Sequence, residues 1–228
     1  MEPGKRSTVS RRARPKAYNT GSPLKEPPMN DFQARKQLLR EQSHAARNAQ
    51  LDKDGLSKTI CDRFTAMPEY ASAETVMFYI DVRSEVRTRH ALPAALASGK
   101  KIVVPWCNAA GELELFHLTD MEELAVGMYK ILEPKAELRQ LPEKVKTATD
   151  LDLVMVPGVA FDRRGARMGH GKGYYDKLLQ HARPTTPLVA LAFECQLFPE
   201  IPTANHDIFM DRIITESAVY EGLGRKAG

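Results

Sequence analysis

The apolar positions of this chain fall into short runs with two different periods. "TVMFYI" (75–80) and "KIVVPW" (101–106) are β-branched and aromatic blocks of strand length, and "LELFHL" (113–118) sets Leu113 and Leu115 against acids in the alternation of a half-buried strand. "LDLVMVPGVAF" (151–161) is apolar almost throughout, as expected of one central strand covered on both faces. "LVALAF" (188–193) and "RIIT" (212–215) predict two further short strands. Helical spacing covers 32–50, with Asn30 or Asp31 as the N-cap candidate, and 53–66, which stops before Pro68. Residues 84–98 read as helix despite Pro93, with Gly99 as a C-cap, and another helix spans Tyr174 to His181. Strands separated by helices predict an α/β fold, a single domain with a mainly parallel sheet and helices on both faces. Residues 120–150 are charged and less regular, and are expected to form a surface excursion. There is no internal repeat.

Charge changes the picture at one end. The formal net charge of the 228 residues is +4, but residues 1–30 hold seven Lys and Arg against Glu2 and Glu26, a surplus of five, so the other 198 sum to −1. A nucleic-acid surface should lie on the folded domain, so none is expected here. The Pro/Ser/Arg-rich segment 1–30 has no apolar period to bury and reads as a disordered tail. Its Arg/Ser-rich, acid-poor start is also compatible with a transit peptide, and Met29 with a downstream start of translation. The domain is expected over 31–222, followed by a flexible 223–228. No apolar run approaches the ~18 residues of a membrane span, so a soluble, cytoplasmic protein is expected, organellar only if the tail is a targeting peptide. Cys61, Cys107 and Cys195 are odd in number and far apart, which builds neither a disulfide framework nor a metal site.

The densest chemistry is "RMGHGKGYYD" (167–176), placed between a buried strand and a helix. A helix start offers unpaired N–H groups and the positive end of the dipole. Gly169, Gly171 and Gly173 allow close backbone approach and positive φ. Lys172 adds a mobile charge and Arg167 a planar fork for phosphate oxygens. This is not a P-loop, because Gly173 stands where the metal-binding hydroxyl should follow Lys172, and not a dinucleotide fingerprint, because the third glycine comes one residue early. Asp176 has two readings, compensation of the helix dipole or a ligand to Mg²⁺ against phosphates. Tyr175, Leu178 and Leu179 form a core stripe, whereas Tyr174 points elsewhere and can flank a ligand. His170 alone supports no acid–base role. On the first helix Lys36, Arg40 and Arg47 share one face, which by itself reads as solvated. The residues alone thus predict a phosphate-binding loop, of the kind that holds a nucleotide.

From here the sequence resembles a known family, the 5-formyltetrahydrofolate cyclo-ligases. The resemblance rests on "VPGVAFDRRGARMGHGKGYYDKLL" (156–179), and extends to "ARKQLLR" (34–40), "YIDVRSEVRT" (79–88), "GMYKILEPK" (127–135) and "LAFECQLFPEIPTANHDIFMDRIIT" (191–215). It implies a ligase that converts 5-formyltetrahydrofolate and ATP to 5,10-methenyltetrahydrofolate, ADP and phosphate with Mg²⁺. The formyl oxygen would take the γ-phosphoryl group, and N10 would then displace phosphate. By position it implies ATP contacts at Lys36, Gln37, Leu38, Leu39 and Arg40 and from Arg167, Met168, Gly169, His170, Gly171, Lys172 and Gly173 to Tyr174 and Tyr175. It implies substrate contacts at Arg40, Ile80, Glu85 and His170 through Tyr174. Asp176 matches one magnesium position and Asp207 the second, with Asp211 four residues on. Lys172 and Arg167 are the expected catalytic charge stabilisers, and a monomer acting on small molecules is expected. The rivals are a small-molecule kinase on the same loop, a folate- or nucleotide-binding protein without chemistry, and a nucleic-acid binder using its tail.

Overall fold

The computed structural model describes residues 1, 29–127, 131–204 and 207–225. Three helices come first, α1 (Met29–Ala49), α2 (Lys53–Thr65) and α3 (Pro68–Ser72), then β1 (Thr75–Met77), α4 (Leu92–Ala97), β2 (Lys101–Cys107) and β3 (Leu113–Leu118). The middle of the chain forms β4 (Leu124–Val126), β5 (Leu132–Pro134), β6 (Val145–Lys146), β7 (Leu153–Val156), β8 (Ala160–Asp162) and β9 (Arg167–Met168). Helix α5 (Tyr174–Gln180), β10 (Leu188–Leu191), β11 (Leu197–Phe198), β12 (Arg212–Ile214) and β13 (Val219–Glu221) complete it.

Eight strands form the main sheet in the order β13-β12-β10-β7-β1-β2-β3-β6. The five central strands, β12 to β2, run parallel, and the edges are antiparallel. Successive residues of a strand point to opposite faces, and the core divides accordingly. Val76, Ile102, Leu153 and Met155 pack with Ile60 and Phe64 of α2, Tyr70 of α3 and Leu92 of α4. Met77, Val103, Val154 and Val156 pack with Leu179 of α5 on the other side. A smaller cluster of Ala160, Ala166, Met168 and Ile201 lies under α1 through Leu39. The expected α/β architecture with helices on both faces is present.

Several expected boundaries are corrected. Residues 151–161 are not one strand: β7 stops at Val156, Pro157 has no N–H to continue a ladder, and β8 joins a separate sheet, β11-β8-β9. The link between β8 and the glycine loop is therefore a hairpin, held by the Asp162 carboxylate, which accepts from the Arg164, Ala166 and Ile201 N–H groups at 2.9, 3.2 and 3.0 Å. Strand β1 ends at Met77 rather than 80, and the 84–98 helix shrinks to α4, with Pro93 in its first turn. Side chains hold the intervening loop instead: Tyr79 Oη donates to the Val86 carbonyl at 3.1 Å, and Asp81 takes the Arg89 guanidinium and backbone N–H. Helix α1 begins at Met29, so Asn30 and Asp31 lie inside its first turn and neither is the N-cap. Within 120–150 the chain forms the β4–β5 hairpin and adds β6 to the main-sheet edge. Arg225 donates to the carbonyls of Ala182, Pro184 and Thr186, whereas residues 2–28 and 226–228 lie outside the described residues.

Candidate functional site

Strand β1 is followed in sequence by β2 on one side, and β7, β10 and β12 are laid down on the other. The order therefore reverses between β1 and β7, and open α/β sheets bind ligands in the crevice beyond the carboxyl ends at such a point. A cavity of about 300 Å³ lies there, lined by Tyr79, Ile80, Val82 and Glu85 after β1, by Pro105 to Cys107 at the end of β2, and by Pro157 and Gly158 after β7. Its other wall is the β9–α5 loop, including Arg167, Gly169, His170, Lys172 to Tyr175 and Asp176. Leu113, Ile131, Leu132 and Glu133 close the side.

The loop has the geometry its glycines predict. Gly171 and Gly173 take φ of 93° and 70°, which side chains disfavour, and Gly173 is the N-cap of α5. Arg40 of α1 lies across the loop: its Nε donates to the Gly169 carbonyl at 3.0 Å, and its Nη2 would sit 3.6 Å from a Cβ at Gly171. The two cations of the motif differ in situation. Lys172 is exposed, with no hydrogen-bond or ion-pair partner among the described residues. The Arg167 side chain is only 4% exposed; it pairs with Asp176, donates to the Pro157 carbonyl at 3.3 Å, and lies 5.8 Å from the Tyr175 ring centroid. Burial raises the Tyr175 phenol pKa, so it stays neutral.

Ile80 and Glu85, implied by the resemblance as substrate contacts, both lie on the cavity lining. Glu85 is 6% exposed; its Oε2 accepts from the Val82 N–H at 3.1 Å and its Oε1 stands 3.5 Å from His170 Nε2. The His170 ring stacks on His44 of α1 at 5.3 Å. The 36–40 segment divides. Arg40 reaches the loop, Lys36 pairs with Asp207 at 3.5 Å, Leu39 packs into the small third cluster, and Gln37 and Leu38 face outward. None of the five lines the cavity. Met168 belongs to the same small cluster and its side chain is buried.

The carboxylates differ in how well they fit Mg²⁺. Asp176 is half-exposed on the cavity wall, and its Oδ2 has no partner among the described residues, which fits a hard cation held by one carboxylate plus phosphate oxygens. Asp207 accepts from Lys36 and from the Ala204 N–H at 2.8 Å and is not on the cavity lining. Asp211 accepts from the Leu188 N–H at 2.7 Å at the start of β10, a structural place. No three His, Cys, Asp or Glu side chains converge as a metal centre among the described residues.

Sequence reasoning missed the apolar wall and Arg47. The wall residues Tyr79 and Trp106 sit at or just beyond the carboxyl ends of parallel strands, which was the signal available, and Leu113 opens the antiparallel β3 opposite Cys107. Arg47, expected on a solvated face, is 1% exposed: its Nε donates to Ser84 Oγ at 3.0 Å and its Nη1 to the Gly158 carbonyl at 3.2 Å. It ties α1 to both loops that form the cavity floor.

Comparison with known proteins places this geometry in context. The model of the 5-formyltetrahydrofolate cyclo-ligase family matches residues 30–216. A probable 5-formyltetrahydrofolate cyclo-ligase of Schizosaccharomyces pombe is 31% identical over 82% of this chain and 99% of its own length. The 5-formyltetrahydrofolate cyclo-ligase of Escherichia coli K12 is 32% identical over 70% of this chain and 87% of its own. The NMR structure of Aquifex aeolicus 5,10-methenyltetrahydrofolate synthetase superposes with a TM-score of 0.71 at 30% identity, over 85% of this chain and 96% of that one.

Proposed function

The chain belongs to the 5-formyltetrahydrofolate cyclo-ligase family, and on that premise we propose that it closes 5-formyltetrahydrofolate to 5,10-methenyltetrahydrofolate, converting ATP to ADP and phosphate. The observation that carries this reading is the sharing of one cavity by a cationic glycine loop and an apolar pocket with a buried carboxylate. A phosphoryl donor and a flat, mostly apolar acceptor need those two surfaces side by side.

The formyl oxygen is a poor leaving group until it takes the γ-phosphoryl group. N10 then attacks the formyl carbon and phosphate departs. Phosphoryl transfer is chiefly positioning and neutralisation of charge. Lys172, exposed and unpartnered, is the mobile charge for the transferring group. Arg167 has both hands occupied, so its part is to hold Asp176 and the Pro157 backbone in place while lending its charge from behind. Gly169 to Gly173 bring backbone close to the phosphates, with Arg40 closing over them. Asp176 would hold Mg²⁺, which supplies further neutralisation of phosphate charge. Trp106, Leu113 and Tyr79 exclude water, which would otherwise hydrolyse the activated formyl group before N10 reaches it. Glu85 faces the pterin side. Lys36, paired with Asp207 outside the cavity lining, is assigned to ATP by the resemblance alone.

The test is absorbance in the methenyl-folate band after mixing the protein with 5-formyltetrahydrofolate, Mg²⁺ and ATP. A rise that requires ATP is expected. ADP formation without that band would mark a kinase acting on another acceptor, and binding without either product a protein that kept the fold alone. We place the enzyme in the cytoplasm, as a monomer. No helix among the described residues is long and apolar enough to cross a membrane. An Arabidopsis relative, 29% identical over 73% of this chain, is named as mitochondrial, so a fluorescent fusion to residues 1–30 tests the compartment.

A further inference from the structure

Closing the ring leaves a proton to be placed. N10 carries one hydrogen before attack; as the C–N10 bond forms and the bond from the formyl carbon to the phosphate oxygen breaks, that hydrogen must leave N10, and the departing phosphate takes up a proton. At that moment N10 and the leaving oxygen share one carbon, and a direct transfer between them would pass through a strained four-membered ring, so an intermediary that accepts and returns a proton is needed. One side-chain pair on the cavity lining offers it. Glu85 belongs to the pterin wall, and His170 belongs to the glycine loop, between Gly169 and Gly171; their Oε1 and Nε2 atoms are 3.5 Å apart. Such contacts are often long without substrate and tighten in the working complex.

Resting on the functional reading above, we propose that Glu85 and His170 form a proton relay across the cavity: Glu85 Oε1 accepts the N10 proton, passes it to His170 Nε2, and His170 releases one from Nδ1 to the departing phosphate. The step balances, since N10 loses one proton and phosphate gains one from Nδ1; the ring is left as the Nε2–H tautomer and returns to Nδ1–H by exchange with water at its exposed edge. Nδ1 has no hydrogen-bond partner among the described residues, and the side chain is 43% exposed, so the exit is open. His170 must be neutral at rest to accept, and its surroundings bear on that. From α1 come His44, stacked on it, Arg47 behind His44 with its Nη2 3.5 Å from His44 Nδ1, and Arg40 over the loop. The loop after β1 contributes Glu85 and Arg83, and Lys172 is two residues along. Burial, then Arg47, lowers the His44 pKa. A neutral stacked ring therefore meets the imidazolium of His170 when it forms, instead of a second cation.

The relay is tested by kcat against pH for the full chain, as wild type, His170→Gln and His44→Phe. Wild type is expected to lose kcat on the acid side, where a protonated relay can no longer accept. His170→Gln should lower kcat at neutral pH at least about tenfold, less than the full worth of a direct acid–base group because water takes over part of the path. It should also lose that acid limb, with KM for ATP and folate within twofold. His170 is on the surface, so the variant should fold, and a thermal melt checks this. His44→Phe keeps a stacked ring and should keep the acid limb. Unchanged kcat and limb in His170→Gln overturn the relay, as does a loss confined to KM or a limb that disappears with His44→Phe. Wild type making no methenyl product at any pH overturns the functional reading and the relay together.

Discussion

The two walls of the cavity are built from opposite materials. The strand-end wall is locked: Tyr79 is 2% and Trp106 9% exposed, and each has its own brace. Tyr79 Oη is spent on the Val86 carbonyl, and the Arg139 guanidinium lies 4.3 Å over the Trp106 ring, itself held by the Pro134 carbonyl at 2.8 Å and Glu133 at 3.1 Å. The glycine-loop wall has left-handed backbone at Gly171 and Gly173, an exposed Lys172, and a strap from Arg40. A rigid apolar wall fixes the shape that enters. A loop with a free charge meets a group whose charge moves during reaction. The difference assigns selection to one wall and catalysis to the other, and substitutions on each should fail differently.

The sharpest break is Lys172→Ala. Removing one donor to developing charge typically slows turnover about 10²–10³-fold, and that loss is expected in kcat with the melting temperature unchanged, because Lys172 supports nothing in the fold. A folded variant with near wild-type kcat would remove the catalytic role from the loop's free cation. Arg47→Met is the counterpart under the other wall. It deletes charge-assisted bonds to Ser84 and the Gly158 carbonyl in a buried place, which costs about 2–3 kcal/mol and roughly 4–12 °C in Tm. Turnover per folded molecule should change far less than in Lys172→Ala. A melt within 1 °C of wild type, on the order of measurement error, would contradict its place as a brace.

Those two cations also show what the sequence made legible. The loop could be read because its chemistry is local: three alternating glycines, a lysine and a following helix are contiguous, and their backbone consequences appear at Gly171 and Gly173. The central, doubly covered place of β7 could be read because its residues are apolar on both faces. Arg47 could not, since helical spacing puts Lys36, Arg40 and Arg47 on one face and does not say that another part of the chain covers its last turn. Burial of a charge is decided by partners more than a hundred residues away, here Gly158. The apolar wall was hidden for the same reason: Tyr79, Trp106 and Leu113 look like strand residues until the sheet order puts their ends together. The run 151–161 misled because apolar character outlasts the strand, and Pro157 was the signal to stop.

A smaller effect separates the walls by reagent. Cys107 ends β2 on the cavity lining and is exposed. Burial pushes the Cys61 thiol up to about 12 and also raises Cys195. Raised thiol values mean protonated, unreactive sulfur at pH 8, and reactivity returns only as pH climbs toward those values. A bulky maleimide at pH 8 should therefore label Cys107 first, leave Cys61 untouched, and raise KM for folate several-fold, with folate protecting and Cys107→Ser resistant. Peptide mapping gives the order of labelling. Labelling of Cys61 at the rate of Cys107 would deny the packing that makes the strand-end wall rigid.

The smallest expected effect is that of deleting residues 1–28. The family match begins at residue 30, α1 at Met29, and the described cavity lining at Tyr79. Turnover, both KM values and Tm should stay within error of the full chain. The instructive failure would be a raised KM for ATP that disappears in high salt. The tail's surplus of five positive charges would then be acting through a screened field, adding long-range attraction to the loop wall and nothing to the strand-end wall. A loss of kcat that salt does not mend would instead make the tail part of the site, and the division into two walls would have to admit a third.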